Sequence, residues 1–312
     1  MSMGTTRRPL LDVARGMALV AMAAYHASWD LTFTGLADFD LFGNPLWLTA
    51  RTLIVSSFLL LAGIGLVLAT AAGLDEPRFR RRFVVRLARI AAAAGAVSAV
   101  SYALFPDSPI FFGVLHHIAV ASVLGLAFVR LPAPVTLAAA VAAFLAGDHL
   151  AFPVFDSPWL RWIGLTTVPP DSNDYVPLLP WTGALLAGIG LARLWPGIGA
   201  GPAPANPVGR ALAWGGRHSL AVYLIHQPVL FGLAWLIAQG VGVESPQARN
   251  FHQSCVTSCT QAGGGAALCE SNCRCVRTEL ARTGLWEDFL ANRLDEGGRL
   301  GVSSAVQSCR SR

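Results

Sequence analysis

Seven apolar runs approach the ~20 residues that an α-helix needs to cross a bilayer, and this decides the solvent in which the chain folds. They fall at 11–30, 46–72, 83–104, 110–129, 132–150, 176–195 and 217–239. Of the 312 residues, 13% are charged, against about 25% in an average soluble domain. A water-soluble globule is thereby excluded. Backbone groups in lipid must be satisfied within each segment. The expected fold class is therefore all-α, a polytopic membrane helix bundle of about seven transmembrane helices. The first run has no small-residue cleavage site and more spans follow, so it reads as a helix of the bundle and not as a signal peptide.

Charge orients the bundle. Every one of the 23 basic residues is Arg. That excludes a lysine Schiff base or lysine general base, and the bias suggests a GC-rich bacterial genome. Arg7, Arg8, then Arg78, Arg80, Arg81, Arg82, Arg86 and Arg89, then Arg130, and finally Arg193, Arg210 and Arg217 mark one set of connections. Asp38, Asp40, Asp107, Asp148, Asp156, Asp171 and Asp174 mark the alternate set. The positive-inside rule then predicts a cytoplasmic N-terminus and a C-terminus outside. In a bacterium this is a multi-pass protein of the inner (cytoplasmic) membrane with a periplasmic tail. Arginines at membrane edges account for the net charge of +5 without a nucleic-acid partner. Two domains are expected, a membrane domain over 8–240 and a tail over 249–312. The Pro- and Gly-rich stretch Pro196–Pro207 reads as a linker before the seventh span.

All six cysteines lie in the tail: Cys255-x3-Cys259, Cys269-x3-Cys273, Cys275 and Cys309. An i, i+4 pair shares one helical face. Two such helices joined through Gly263-Gly264-Gly265 form a hairpin. Antiparallel pairing sets Cys255 against Cys273 and Cys259 against Cys269, leaving Cys275 and Cys309 for a third bridge. A four-thiolate zinc site is the competing reading. An oxidising space outside the membrane favours disulfides, so no metal is expected. The twin Cys-x3-Cys pattern is similar to that of helical-hairpin proteins of the mitochondrial intermembrane space.

The first apolar run carries a line of ionisable groups. With about 100° per residue and Asp12 at zero, Arg15 falls near −60°, His26 near −40° and Asp30 near 0°. Charge in a bilayer is costly unless it faces protein or water, so such a stripe marks a candidate site. His26 lies ~22 Å from the cytoplasmic start of its helix. Arg51, entering with the second helix, reaches a similar depth, as does one of His116 and His117 in the fourth. A histidine beside a carboxylate such as Asp30 serves as a general base or a nucleophile. The plainer reading is a hydrogen-bonded histidine at the headgroup boundary, with Trp29 beside it. Asp12 and Arg15 pair readily as a structural ion pair, and a donor-binding role is the alternative. Ser219, Tyr223 and His226 form a second polar stripe in the seventh run, interrupted by Pro228. Trp181 and Thr182 are further candidates.

Taken in order, several passages resemble a known group. They are Leu11-Asp12-x-x-Arg15-Gly16, His26-Ala27-Ser28-Trp29, Phe58-Leu59-Leu60-Leu61-Ala62-Gly63, Gly113-Val114-Leu115-His116-His117-Ile118-Ala119, Pro180-Trp181-Thr182-Gly183 and Gly216-Arg217-His218-Ser219 through Tyr223 to His226-Gln227-Pro228. The likeness is to the membrane acyltransferase superfamily, in the branch of bacterial homologues of heparan-α-glucosaminide N-acetyltransferase. It implies transfer of an acetyl group from cytoplasmic acetyl-CoA to an amino sugar or other glycan on the far side. It makes His26 the catalytic residue. Asp30, His116 or His117 would assist it, Asp12 and Arg15 would stand on the donor side, and Arg51, Trp181, Tyr223 and His226 on the acceptor side. The expected partners are membrane lipid and a glycan acceptor, with a homo-oligomer left open. Two other classes remain: a non-enzymatic sugar or anion permease, and a membrane-anchored redox or docking module centred on the tail.

Overall fold

The computed structural model describes residues 8–71, 73–244, 246–290 and 292–310, so Arg7 of the basic N-terminal pair and the last two residues of the expected tail domain lie outside it. Among the described residues the chain is all helical, with no strand. It divides into two compact units. One takes in the chain up to His26 together with Asp40–Val229, and the other Ala27–Phe39 together with Leu230 onward.

In the first unit lie α2 (Pro45–Ala69), α3 (Pro77–Leu104), α4 (Val114–Gly125), α5 (Ala133–His149), α6 (Thr182–Leu194) and α7 (Pro207–Arg217). Two long helices, α1 (Pro9–Thr34) and α8 (Ser219–Val241), run through both units. Prolines open α2, α3 and α7, where a missing N–H costs nothing. Asn44 caps α2 through the Leu46 N–H at 2.9 Å, and Asn206 caps α7 through the Gly209 N–H at 2.6 Å. By length and composition α2, α3 and α8 can each cross a membrane, and α4, α5 and α6 are shorter apolar helices.

The core sits between α2, α4 and α6, where Leu59, Leu66, Ala121, Leu185 and Ile189 are sealed from solvent. Small residues permit the close approach. A Cβ on Gly63 would strike the Leu185 carbonyl, and one on Gly188 the Leu60 carbonyl. The same device packs α1 on α7. A Cβ on Gly16 would strike the Leu212 carbonyl, and one on Gly216 the Asp12 carbonyl.

Three features differ from the helix pattern read in the sequence. The run expected from 110 begins as helix only at Val114, and the run expected from 176 only at Thr182. The intervening residues stay non-helical, and backbone hydrogen bonds join the two segments instead. The Asn173 N–H donates to the Ser108 carbonyl at 3.1 Å, and the Val176 N–H to the Phe112 carbonyl at 3.0 Å. Pro177 and Pro180 also lack the donors a helix would use. The third is α7, an additional amphipathic helix that buries Ala213 and Gly216.

The second unit is stapled. Its helices are α9 (Pro246–Gln261), α10 (Ala266–Arg282), the short α11 (Trp286–Leu290) and α12 (Glu296–Arg310). Disulfides join Cys255 to Cys273, Cys259 to Cys269 and Cys275 to Cys309. The α9–α10 turn uses Gly263 at φ 90°, a conformation that suits glycine. Val276, Leu280 and Ala305 form a small core under Phe251, Trp286 and Phe289. Arg249 donates to the Phe33 and Thr32 carbonyls at 2.6 and 3.4 Å, satisfying the C-terminal end of α1.

Candidate active site

Arginine spacing on α3 builds the first part of the site. Arg78, Arg82, Arg86 and Arg89 recur at four- and three-residue intervals and so share a face, with Arg81 at its edge. They line a cavity of about 1140 Å³ together with Arg15, Arg217 and the first turn of α8. Asp12 is the one carboxylate among the described lining residues, and it pairs with Arg15 at 3.3 Å. The wall is therefore strongly cationic. Apolar side chains from α2, α3 and α4 supply much of the remaining lining. Helix N-termini and guanidinium groups both favour phosphate. The wall also includes Val114 and Tyr223.

Tyr223 leads to the second part. One turn further along α8, the His226 ring lies 5.8 Å from the Tyr223 ring. His226 Nε2 is 2.7 Å from Nδ1 of His26 on α1, and the two rings are within 12° of parallel. The protons can be assigned from the bonding network. His226 Nδ1 faces the Tyr223 carbonyl at 2.7 Å and the Val222 carbonyl at 3.2 Å. A carbonyl only accepts, so Nδ1 of His226 carries the proton and Nε2 of the neutral ring carries a lone pair. That lone pair accepts from His26 Nδ1–H. The lone pair of His26 is thereby left on Nε2, the nitrogen able to take a proton or attack an acyl carbon.

The third part gathers where the connection before α6 meets the start of α4. The Arg51 guanidinium lies in electrostatic range of the Tyr25 hydroxyl and of Asp174. Asp174 Oδ2 accepts the Val114 N–H at 3.0 Å. Burial pushes the Asp174 carboxyl up from its ordinary value, opposed by that N–H and by the Arg51 charge.

The other residues singled out in the sequence stand elsewhere. His117 is fully buried, and its Nδ1 faces the Val176 and Pro177 carbonyls at 3.2 and 3.0 Å. His116 bonds Ser98 at 3.3 Å and accepts the Gly113 N–H at 3.2 Å. Trp181 packs on the main core. Asp30 is buried in the second unit, where the Thr34 hydroxyl donates to its backbone carbonyl at 2.7 Å. The ring partner given to His26 is thus His226, a residue 200 positions away that the sequence placed with acceptor binding. Tyr25 and Asp174 had no signal of their own beyond a loop aspartate and a tyrosine beside His26.

The first unit thus holds apolar helices long enough to cross a membrane, a cationic cavity and a paired histidine, the features of a membrane-protein site. Residues 7–228 match the family described as heparan-alpha-glucosaminide N-acetyltransferase, catalytic. The chain belongs to that family, and the family implies an acetyltransferase. No curated protein and no solved structure matches it.

Proposed function

We propose that the chain moves an acetyl group from cytoplasmic acetyl-CoA to an amino sugar or other glycan outside the cell. In this reading it spans a bacterial inner membrane seven times, with residues 8–240 as the transfer domain and 249–312 as a periplasmic tail. The observation that carries the reading is a shared neighbour: Tyr223 lines the arginine cavity and stands one turn from His226, which pairs with His26.

The chemistry follows from the charges. Coenzyme A carries a diphosphate and a 3′-phosphate, which suit a wall of arginines. A cavity of about 1140 Å³ exceeds the usual ~300–1,000 Å³ of small-molecule sites, so a donor of this size fits. The lone pair on His26 Nε2 takes the proton of the acceptor N–H or O–H as that atom attacks the thioester carbon. The carbon–sulfur bond breaks, and the thiolate of CoA takes up a proton. The same lone pair also serves if His26 first carries the acetyl group, in which case CoA leaves before the acceptor enters. His226 fixes the tautomer in both cases.

The test uses the purified full chain, acetyl-labelled acetyl-CoA and a panel of amino sugars. Label passing to an amino sugar, abolished in His26→Ala with helical content retained, is the expected result. Full transfer by His26→Ala sinks the assignment. Sugar or anion flux through proteoliposomes without acetyl-CoA turns the reading to a permease.

A further inference from the structure

Asp174 has a placement that capping α4 does not exhaust. The strap 172–178 that carries it is tied down at several points. The Ser172 hydroxyl donates to the Pro109 carbonyl at 2.9 Å, and the Asn173 N–H to the Ser108 carbonyl at 3.1 Å. The Leu178 N–H donates to the Trp162 carbonyl at 2.9 Å. His117 holds the carbonyls of Val176 and Pro177, which explains a fully buried histidine in α4. Gly113 makes room, because a Cβ there would collide with the Asp174 carboxylate. A carboxylate on such a rigid mount is preorganised.

Its neighbours are chemically specific. Arg51 and Tyr223 are the charged and titratable groups that interact with it, and Tyr25 interacts with Arg51 in turn. Val114 and Tyr223 line the arginine cavity, yet Asp174 does not. It interacts with two residues of the cavity wall without belonging to the lining. Oδ2 is committed to the Val114 N–H, while Oδ1 has no hydrogen-bond partner among the described residues.

We propose that Asp174 is the acceptor-binding carboxylate of this enzyme, its Oδ1 accepting a hydrogen bond from the group that is to be acetylated. The assignment rests on the acetyltransferase reading. Arg51 lies within electrostatic range of Asp174, so its charge offsets that of the carboxylate. In this assignment Asp174 accepts from one N–H or O–H group of a sugar and Arg51 donates to a neighbouring oxygen. The neighbouring positive charge also keeps Asp174 from locking an amine in its protonated, non-nucleophilic form. The proton released on attack goes to His26 Nε2, not to Asp174.

Steady-state kinetics of the full chain with acetyl-CoA and glucosamine test this. In Asp174→Asn the amide oxygen still accepts the Val114 N–H while the charge is lost. The expected result is a glucosamine KM raised by roughly tenfold or more, with acetyl-CoA affinity and thermal midpoint unchanged. Asp174→Glu keeps the charge but displaces the oxygen, and it must also raise the glucosamine KM. That second variant decides the matter if the first does not fold. Wild-type glucosamine KM in either folded variant overturns the proposal and leaves Asp174 as a helix cap. A wild-type chain that transfers nothing to any amino sugar is a separate failure. It removes the acetyltransferase reading itself, and this assignment with it.

Discussion

Arginine does two different jobs in this chain. Around the cavity of the first unit, Arg78, Arg81, Arg82, Arg86, Arg89 and Arg217 converge on open space with no ion pair among the described residues. Arg80, on a different face of α3, pairs with Asp75 instead. In the tail, Arg274 meets Glu270, Arg277 meets Glu244, Arg282 meets Glu279 and Arg293 meets Asp288. Like charges gathered without partners raise the energy of the folded state, a cost that a bound anion would relieve. Paired charges on a stapled hairpin serve the hairpin itself. The proposed function turns on this contrast: arginines that would meet a ligand in the body, and arginines that meet carboxylates in the tail.

Covalent staples supply the sharpest way to break that comparison. All six cysteines lie between 255 and 309, and the body has none. Mild reduction of the purified chain therefore acts on the tail alone. Each lost disulfide is expected to cost about 2–4 kcal/mol. With three gone, the small core of Val276, Leu280 and Ala305 should not hold the tail folded. Limited proteolysis should then cut within α9–α12 while acetyl-CoA affinity is unchanged. A tail that resists protease after full reduction would mean that packing and ion pairs hold it unaided.

The histidine pair is the next largest effect. His226→Phe keeps a ring against His26 but removes the acceptor for its Nδ1–H. The tautomer that leaves Nε2 free is then no longer imposed. A fall in kcat of roughly 10²-fold is expected, with acetyl-CoA KM little changed. Single-turnover kinetics with labelled donor separate these terms. Wild-type kcat in this variant would remove His226 from the reaction.

How far these two regions could be read in advance differs for a physical reason. The tail is encoded by local spacing. Cys-x3-Cys twice, separated by glycines, permits few antiparallel arrangements, and the observed bridges follow from it. The arginine face of α3 is likewise a local periodicity. The active-site pairing is not local. His26 and His226 each stood in a visible polar stripe, but their meeting depends on how α1 and α8 rotate in the bundle. The same limit applies to His116 and His117. Both looked like candidates for the centre, and one instead holds the strap while the other closes the start of α4 against α3. Asp174 was legible only as a topological charge, because nothing in a loop sequence reveals that residues 108–112 and 173–176 will pair. α7 escaped notice because a Gly- and Pro-rich approach masked its amphipathic pattern.

Neutralising the cavity gives a smaller, graded effect. Arg81→Gln with Arg82→Gln removes two guanidinium groups from the cavity wall while leaving Arg80 and its partner Asp75 intact. A rise in acetyl-CoA KM of about tenfold is expected, steeper at low salt, with kcat and glucosamine KM near wild type. The matched control in the tail, Arg282→Gln, should leave every kinetic constant unchanged. If both variants behave alike, the distinction between ligand-directed and self-directed arginines fails.

The smallest effect tests the tail's own electrostatics. Glu270 accepts from Arg274 at 3.1 Å and from His252 at 3.0 Å. The Arg274 bond and then the His252 bond hold its carboxyl below the ordinary value, despite its exposure. A carboxylate whose folded pKa is lowered stabilises the fold above its unfolded value, and that contribution is lost as pH falls through the folded value. The tail should therefore weaken as pH drops from about 5 toward 3, in a window set by this group and its neighbours. Solvent screening keeps the term small. Glu270→Gln should flatten part of that slope and leave stability at neutral pH slightly reduced. Brief pepsin cleavage of the oxidised full chain in graded urea reads both quantities, because pepsin remains active across this range. A variant with the full wild-type slope would remove Glu270 from the acid sensitivity of the tail.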